Sequence, residues 1–127
     1  MDALAFADLG SGVYFMCHRT KKQAKWVGLS PDLCRTLCGH FFQLYHKELS
    51  QLSPIEVELK FFSPLAADWD IQVWTAEPKE LVLERAKKIV EFKTLKPRGL
   101  NTSLTLTGKE MWEEFISWFQ AKRRNQK

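Results

Sequence analysis

The chain has 127 residues, 45% of them apolar and 27% charged, with five Trp, nine Phe and a formal net charge of +4. That apolar and aromatic content excludes a disordered polymer and is enough to build a core without covalent staples. Three cysteines, an odd number, argue against a disulfide framework, and a pI near 9.0 permits an anionic partner without requiring one.

The opening MDALAFADLGSG has neither a basic start nor a long apolar run, so no signal peptide is expected. No stretch nears the roughly 20 apolar residues of a membrane span. A cytoplasmic or otherwise intracellular setting without membrane contact is the expectation.

Residues 3–9 are short and apolar, and Gly10, Ser11 and Gly12 make a turn. The run VYFMCH at 13–18 reads as a strand, with the first segment as a hairpin arm against it. A basic connector, 21–25, leads to a short strand over 25–29. Ser30, Pro31 and Asp32 form a helix start, with a cap, a proline at the first helical position and an acid at the positive end of the dipole. The helix is predicted over 31–49, with Leu33, Cys34, Leu37, Phe41, Leu44 and Tyr45 on one face.

Ser53 and Pro54 then break the helical pattern. IEVELKFF, 55–62, alternates apolar and polar side chains and predicts a strand. WDIQVWT, 69–75, predicts another, with Ile71 and Val73 opposite Asp70, Gln72 and Trp74. Glu77 and Pro78 open a second helix, to about residue 92, with Leu81, Val82, Ala86, Ile89 and Val90 as its buried stripe. Leu104 and Leu106 alternate with Ser103 and Thr105 as a last strand. Thr107 and Glu110 match a capping box for a final helix to about residue 121, ahead of the tail KRRNQK. One domain over 1–121 with a basic tail at 122–127 is the expected organisation.

The element order is that of an α+β, ferredoxin-like βαββαβ antiparallel sheet with an N-terminal hairpin arm and an added C-terminal helix. Both central helices then cover one face of the sheet, lined by Val13, Phe15, Cys17, Ile71 and Val73 among others. The open face carries Tyr14, Met16, His18, Phe62, Asp70, Gln72 and Trp74. This assignment rests on parity, so a one-residue shift of register inverts a strand. The rival architecture is a bent antiparallel sheet that starts with the hairpin and wraps one helix.

Fold alone does not fix function, so function is argued from sites. The clustered cations Lys87, Lys88, Lys93, Lys96 and Arg98, with Arg123 and Arg124 at the chain end, are the residues expected to meet phosphate. Tyr14, Phe62 and Trp74 are the expected stacking platform on the sheet, since such sheets stack bases on aromatic side chains. The leading expectation is a small intracellular binding module that contacts nucleic acid or a nucleoprotein, with neither cofactor nor catalytic residues assigned.

A second reading is a protein-interaction module or a homodimer, using Trp112, Phe115, Trp118 and Phe119 on the last helix, because Trp and Phe are strong interface anchors. A third is a small enzyme with His18, Glu58 or Asp70 as its acid–base group. A zinc site built from Cys17, Cys34 and Cys38 with a histidine matches no common ligand spacing. Small buried thiols are the reading preferred for these cysteines. Glu56 and Glu58, on one predicted strand face, read as solvent-facing.

Overall fold

The computed structural model describes residues 9–63 and 65–125. It has the expected α+β class, a three-stranded antiparallel sheet with four α-helices. The strands are β1 (Gly12–His18), β2 (Lys25–Ser30) and β3 (Trp69–Thr75), and the helices are α1 (Leu33–His46), α2 (Pro54–Phe62), α3 (Leu81–Phe92) and α4 (Lys109–Arg124). The sheet order is β2-β1-β3. The four-stranded ferredoxin-like order does not occur among the described residues, and the hairpin arm expected at 3–9 lies almost wholly outside them.

Two expected strands account for the difference. Residues 55–62 are helical. Ser53 accepts from the Glu56 N–H while the Glu56 carboxylate reaches back to the Ser53 N–H, a complete capping box, and Pro54 occupies the first helical position. Ile55, Leu59 and Phe62 then fall on one helical face and pack against the core. The alternating pattern is thus also a short amphipathic helix, and the start signal at Ser53 decides between the two. The segment expected as the last strand stays out of the sheet, and Leu104 and Leu106 pack onto the helical layer.

Helix α1 runs from Leu33 to His46 with Asp32 as its cap, slightly inside the predicted span. Helix α4 is capped by Gly108, at φ 86°, with no side-chain capping bond, so the Thr107–Glu110 capping box does not form. It continues through Lys122, Arg123 and Arg124, three residues into the expected tail.

The register places Tyr14 opposite Val73 and Gly28, and Phe15 opposite Gln72 and Val27. Ile71 and Val73 therefore share a face with Tyr14 and Met16, while Asp70, Gln72 and Trp74 share one with Val13, Phe15 and Cys17. The predicted parity of β3 against β1 is inverted. Each face of the sheet has its own cover. Tyr14, Met16 and Trp69 bury against Leu33 and Leu37 of α1 and Leu59 of α2. On the other side Phe15 and Val27 bury against Ile89 of α3, and the Phe15 ring stacks on Phe92 at 4.4 Å. Helix α4 forms an outer layer, with Phe115 against Leu83 and Ala86.

Gly28 is a requirement of this packing. A Cβ there would lie 2.3 Å from the Tyr14 ring, which crosses the neighbouring strand at that point. The Tyr14 hydroxyl accepts from Trp26 Nε1 at 3.4 Å and meets His40 Nε2 at 2.9 Å, and His40 Nδ1 lies 3.1 Å from Glu56 Oε2. A carboxylate only accepts, so His40 Nδ1 carries the proton of that bond. Glu56 Oε1 takes the Ser53 hydroxyl at 2.8 Å.

This chain ties β1, β2, α1 and α2 together inside the core. Burial pushes the Glu56 carboxyl up, but its bonds from His40 and Ser53 outweigh that and hold it below the usual carboxylate range. A depressed folded-state pKa stabilises the fold above the unfolded value, and that contribution is lost as pH falls through the folded value. Wild type should therefore lose denaturant resistance on acidification below about pH 4, and Glu56→Gln should flatten that acid-side slope while lowering stability at neutral pH. Unchanged pH dependence in Glu56→Gln, measured by urea denaturation, would contradict the assignment.

Candidate nucleic-acid interface

Helices α3 and α4 point in the same direction. Lys87 Nζ lies 3.8 Å from Glu114 Oε1, Leu83 and Ala86 pack on Phe115, and further along Val90 lines a hollow together with Phe119 and Lys122. The connector between them returns along the bundle. Arg85 Nη1 pins it, donating to the Ser103 and Leu104 carbonyls at 3.4 and 3.3 Å. The C-terminal ends of both helices consequently meet at one end of the molecule.

A groove lies there in two contiguous parts. One, of about 320 Å³, is lined by Val90, Glu91, Lys93, Phe119, Lys122 and Arg123. The other, of about 230 Å³, is lined by Ile89, Val90, Lys93, Leu95 and Arg98. Val90 and Lys93 belong to both. The floor is apolar and the rim is cationic. The carbonyl ends of the two helices bring roughly half an elementary negative charge each, which the four rim cations outweigh.

Lys93 ends α3 in the left-handed conformation, φ 55° and ψ 52°, with its N–H bonded to the Ile89 and Val90 carbonyls. The Thr94 N–H bonds back to Ile89 O at 3.1 Å, closing the turn as glycine usually does at this position. A side chain in this region costs about 1 kcal/mol. Here that strained position holds a cation on the rim of the groove, and residues kept in strained conformations concentrate at working sites.

The loop beyond Lys93 is held as firmly. Asn101 is fully buried and brackets Val27, accepting from its N–H through Oδ1 and donating to its carbonyl through Nδ2, both at 2.9 Å. The Leu100 N–H bonds the Lys25 carbonyl at 2.9 Å, and Asn101 exchanges backbone bonds with Thr94 and Lys96. The outer edge of β2 is covered in this way, and Leu95 and Arg98 are set against α3.

The expected phosphate contacts divide sharply. Lys87 pairs with Glu84 at 3.4 Å, Lys88 pairs with Glu91 at 3.5 Å, and Lys96 pairs with Glu58 at 2.6 Å. Among the described residues no salt bridge engages Lys93, Arg98, Lys122, Arg123 or Arg124. Lys122 lies over the Trp118 ring at 5.2 Å and Arg123 over Phe119 at 6.0 Å. Of the expected phosphate contacts, Lys93, Arg98, Arg123 and Arg124 make no salt bridge among the described residues, and the first three line the groove.

The expected stacking platform does not assemble. Tyr14 is 3% exposed, in the core beneath α1, and burial pushes its hydroxyl pKa up. Trp74 is on the opposite face, tilted against Phe92 with Lys88 Nζ 4.4 Å from its ring. Phe62 is on α2, edge-on to Phe61 and under Lys21. Register inversion separates the first two, and the helical state of 54–62 removes the third.

Of the residues expected at a protein interface, Phe115 is buried between α3 and α4, Trp118 and Phe119 are half-buried, and Trp112 is 48% exposed. The acid–base candidates do not converge. His18 Nδ1 accepts from the Thr20 and Lys21 N–H groups at 3.2 Å, Asp70 pairs with Arg19 at 3.0 Å on the other sheet face, and Glu58 is held by Lys96. Cys17 is on the α3 side of the sheet while Cys34 packs on the α1 side, so these two cysteines do not converge on one site. Burial raises the Cys17 and Cys38 thiol pKa values, which suits packing better than nucleophilic chemistry.

Sequence reading missed the groove because its floor comes from Val90 and Leu95, which look like ordinary core, and from Phe119, assigned to a different surface. Its cations were visible in the sequence, as Lys93, Arg98 and the basic run at 122–124. Comparison with protein-family models, with curated proteins and with solved structures finds no match. No helix among the described residues is long and apolar enough to cross a membrane.

Proposed function

We propose that this protein is a non-enzymatic binding module that contacts nucleic acid, alone or within a nucleoprotein, through the cationic groove at the ends of α3 and α4. One observation carries the reading. Lys93, Arg98, Lys122 and Arg123 line two adjoining hollows that share Val90 and Lys93 and make no salt bridge among the described residues, while Lys87, Lys88 and Lys96 nearby are neutralised by carboxylates. A polyanion threading this end meets four cations and one carboxylate, Glu91, which Lys88 already engages.

Contacts of this kind release counterions, so affinity falls with salt in proportion to the number of phosphates neutralised. With four phosphates engaged, a plot of log affinity against log salt should have a slope of about −3 to −4. Fluorescence-anisotropy titration of labelled oligonucleotide across a salt series measures it. Saturable binding with that slope supports the reading. Absence of saturable binding even at low salt, or binding indifferent to salt, rejects it.

A protein contact through α4 has one observation in its favour, the half-exposed Trp112. It lies about two helical turns from Phe119, so occupancy there is separable from the groove by mutation.

A further inference from the structure

We infer that the groove takes single-stranded rather than duplex nucleic acid, with one unstacked base laid on the Phe119 ring and its flanking phosphates on the two rims; this rests on the nucleic-acid reading of the same site. The argument is from the shape of the charge. A surface built to track a duplex needs cations on a face that meets phosphates, and an apolar floor between them contributes nothing, because the bases of a duplex are stacked inside it.

Here the cations stand apart, Lys122 and Arg123 on α4, Lys93 at the end of α3, and Arg98 beyond it, with Val90, Leu95 and Phe119 between them. Against a duplex that floor stays uncovered. A single strand can turn a base outward, and each base brings a π-face that stacks on an aromatic ring without regard to sequence. Phe119 is half-buried, so its ring is fixed by packing against Phe115 yet remains in the lining of the groove. Arg123 lies over the same ring, so a base that stacks there takes the place of its guanidinium, which is then free to turn to the flanking phosphate.

The hollow sits on rigid elements. The α3 end is closed by the Lys93 turn, and the Leu95 side is fixed by the bonds of Asn101, so little ordering is required on binding. An acidic peptide would satisfy the cations but brings no flat ring system to the floor, and the single strand is therefore the better fit.

The test is anisotropy titration of a labelled mixed-sequence single strand, of the duplex it forms with its complement, and of a labelled poly-glutamate peptide. The three probes are run against wild type, Phe119→Ala and Phe119→Leu, the leucine variant keeping apolar bulk if alanine disturbs the fold. Wild type should favour the single strand, and loss of the ring in either variant should weaken single-strand binding about tenfold while leaving the duplex unchanged. Equal affinity for single strand and duplex, with both variants neutral, overturns this inference and leaves the charge-based reading standing. Peptide binding as tight as the single strand also overturns it. Binding of no probe overturns both.

Discussion

Replacing Asn101 by alanine should destabilise the protein by about 3 kcal/mol, because it leaves two buried backbone groups without partners at about 1–3 kcal/mol each. Those groups are the N–H and the carbonyl of Val27, a fully buried residue whose outward edge faces the Asn101 amide and not another strand. The loop that carries Leu100 and Lys96 is bonded through the same residue, so the loss extends beyond the two direct bonds. Asn101→Asp keeps the shape and the acceptor for the Val27 N–H but sets a second oxygen against the Val27 carbonyl, and it should cost at least as much. Urea denaturation with far-ultraviolet circular dichroism measures both. A loss below about 0.5 kcal/mol, the size of an ordinary surface change, in both variants would show that the β2 edge is not held by this amide.

Reversing two charges on the groove, Lys93→Glu with Arg123→Glu, should weaken nucleic-acid binding about 30-fold at physiological salt. The magnitude follows from the separation and the medium. A unit charge pair in contact is worth about 1 kcal/mol in water, so exchanging attraction for repulsion at two sites changes binding by roughly 4 kcal/mol before screening, and salt at cellular strength removes about half. Neither side chain is part of a salt bridge among the described residues, so the reversal breaks no such internal pair. Lys87→Glu, by contrast, disrupts contacts with Glu84 and Glu114, and a loss of binding there would not separate charge from structure.

Much of the fold was legible, and what was not has identifiable causes. The strands at 12–18, 25–30 and 69–75 carry β-branched and aromatic runs bounded by turns, and α1 and α3 carry helical stripes, so each was found close to its observed place. At 55–62, eight residues cannot separate alternation from a short amphipathic helix, and Ser53 with Pro54, which breaks the preceding helical pattern, is also the start of the next element. That single exchange removed a strand and freed the sheet to be covered on both faces.

Register is the second cause. Nothing local to WDIQVWT fixes which of its faces pairs with Tyr14, and the inversion moves Trp74 to the α3 side. Gly28 was the available clue, a residue without a side chain where an aromatic ring must cross. For the cationic candidates, sequence does not show which lysines are already paired. Lys87, Lys88 and Lys96 were indistinguishable from Lys93 until their carboxylate neighbours were placed. The α4 aromatics were expected on one surface, and they divide between the core, through Phe115, and the groove, through Phe119.

The most direct test of the central claim is a side-by-side titration of labelled single-stranded oligonucleotide with wild type, with Lys93→Glu/Arg123→Glu, and with Lys21→Glu/Lys22→Glu, which changes the net charge equally in the connector between β1 and β2. Loss of about 30-fold for the groove pair, with little change for the connector pair, is the result expected of a nucleic-acid interface at the ends of α3 and α4. Equal losses for both pairs, or unaltered binding by the groove pair, would contradict it.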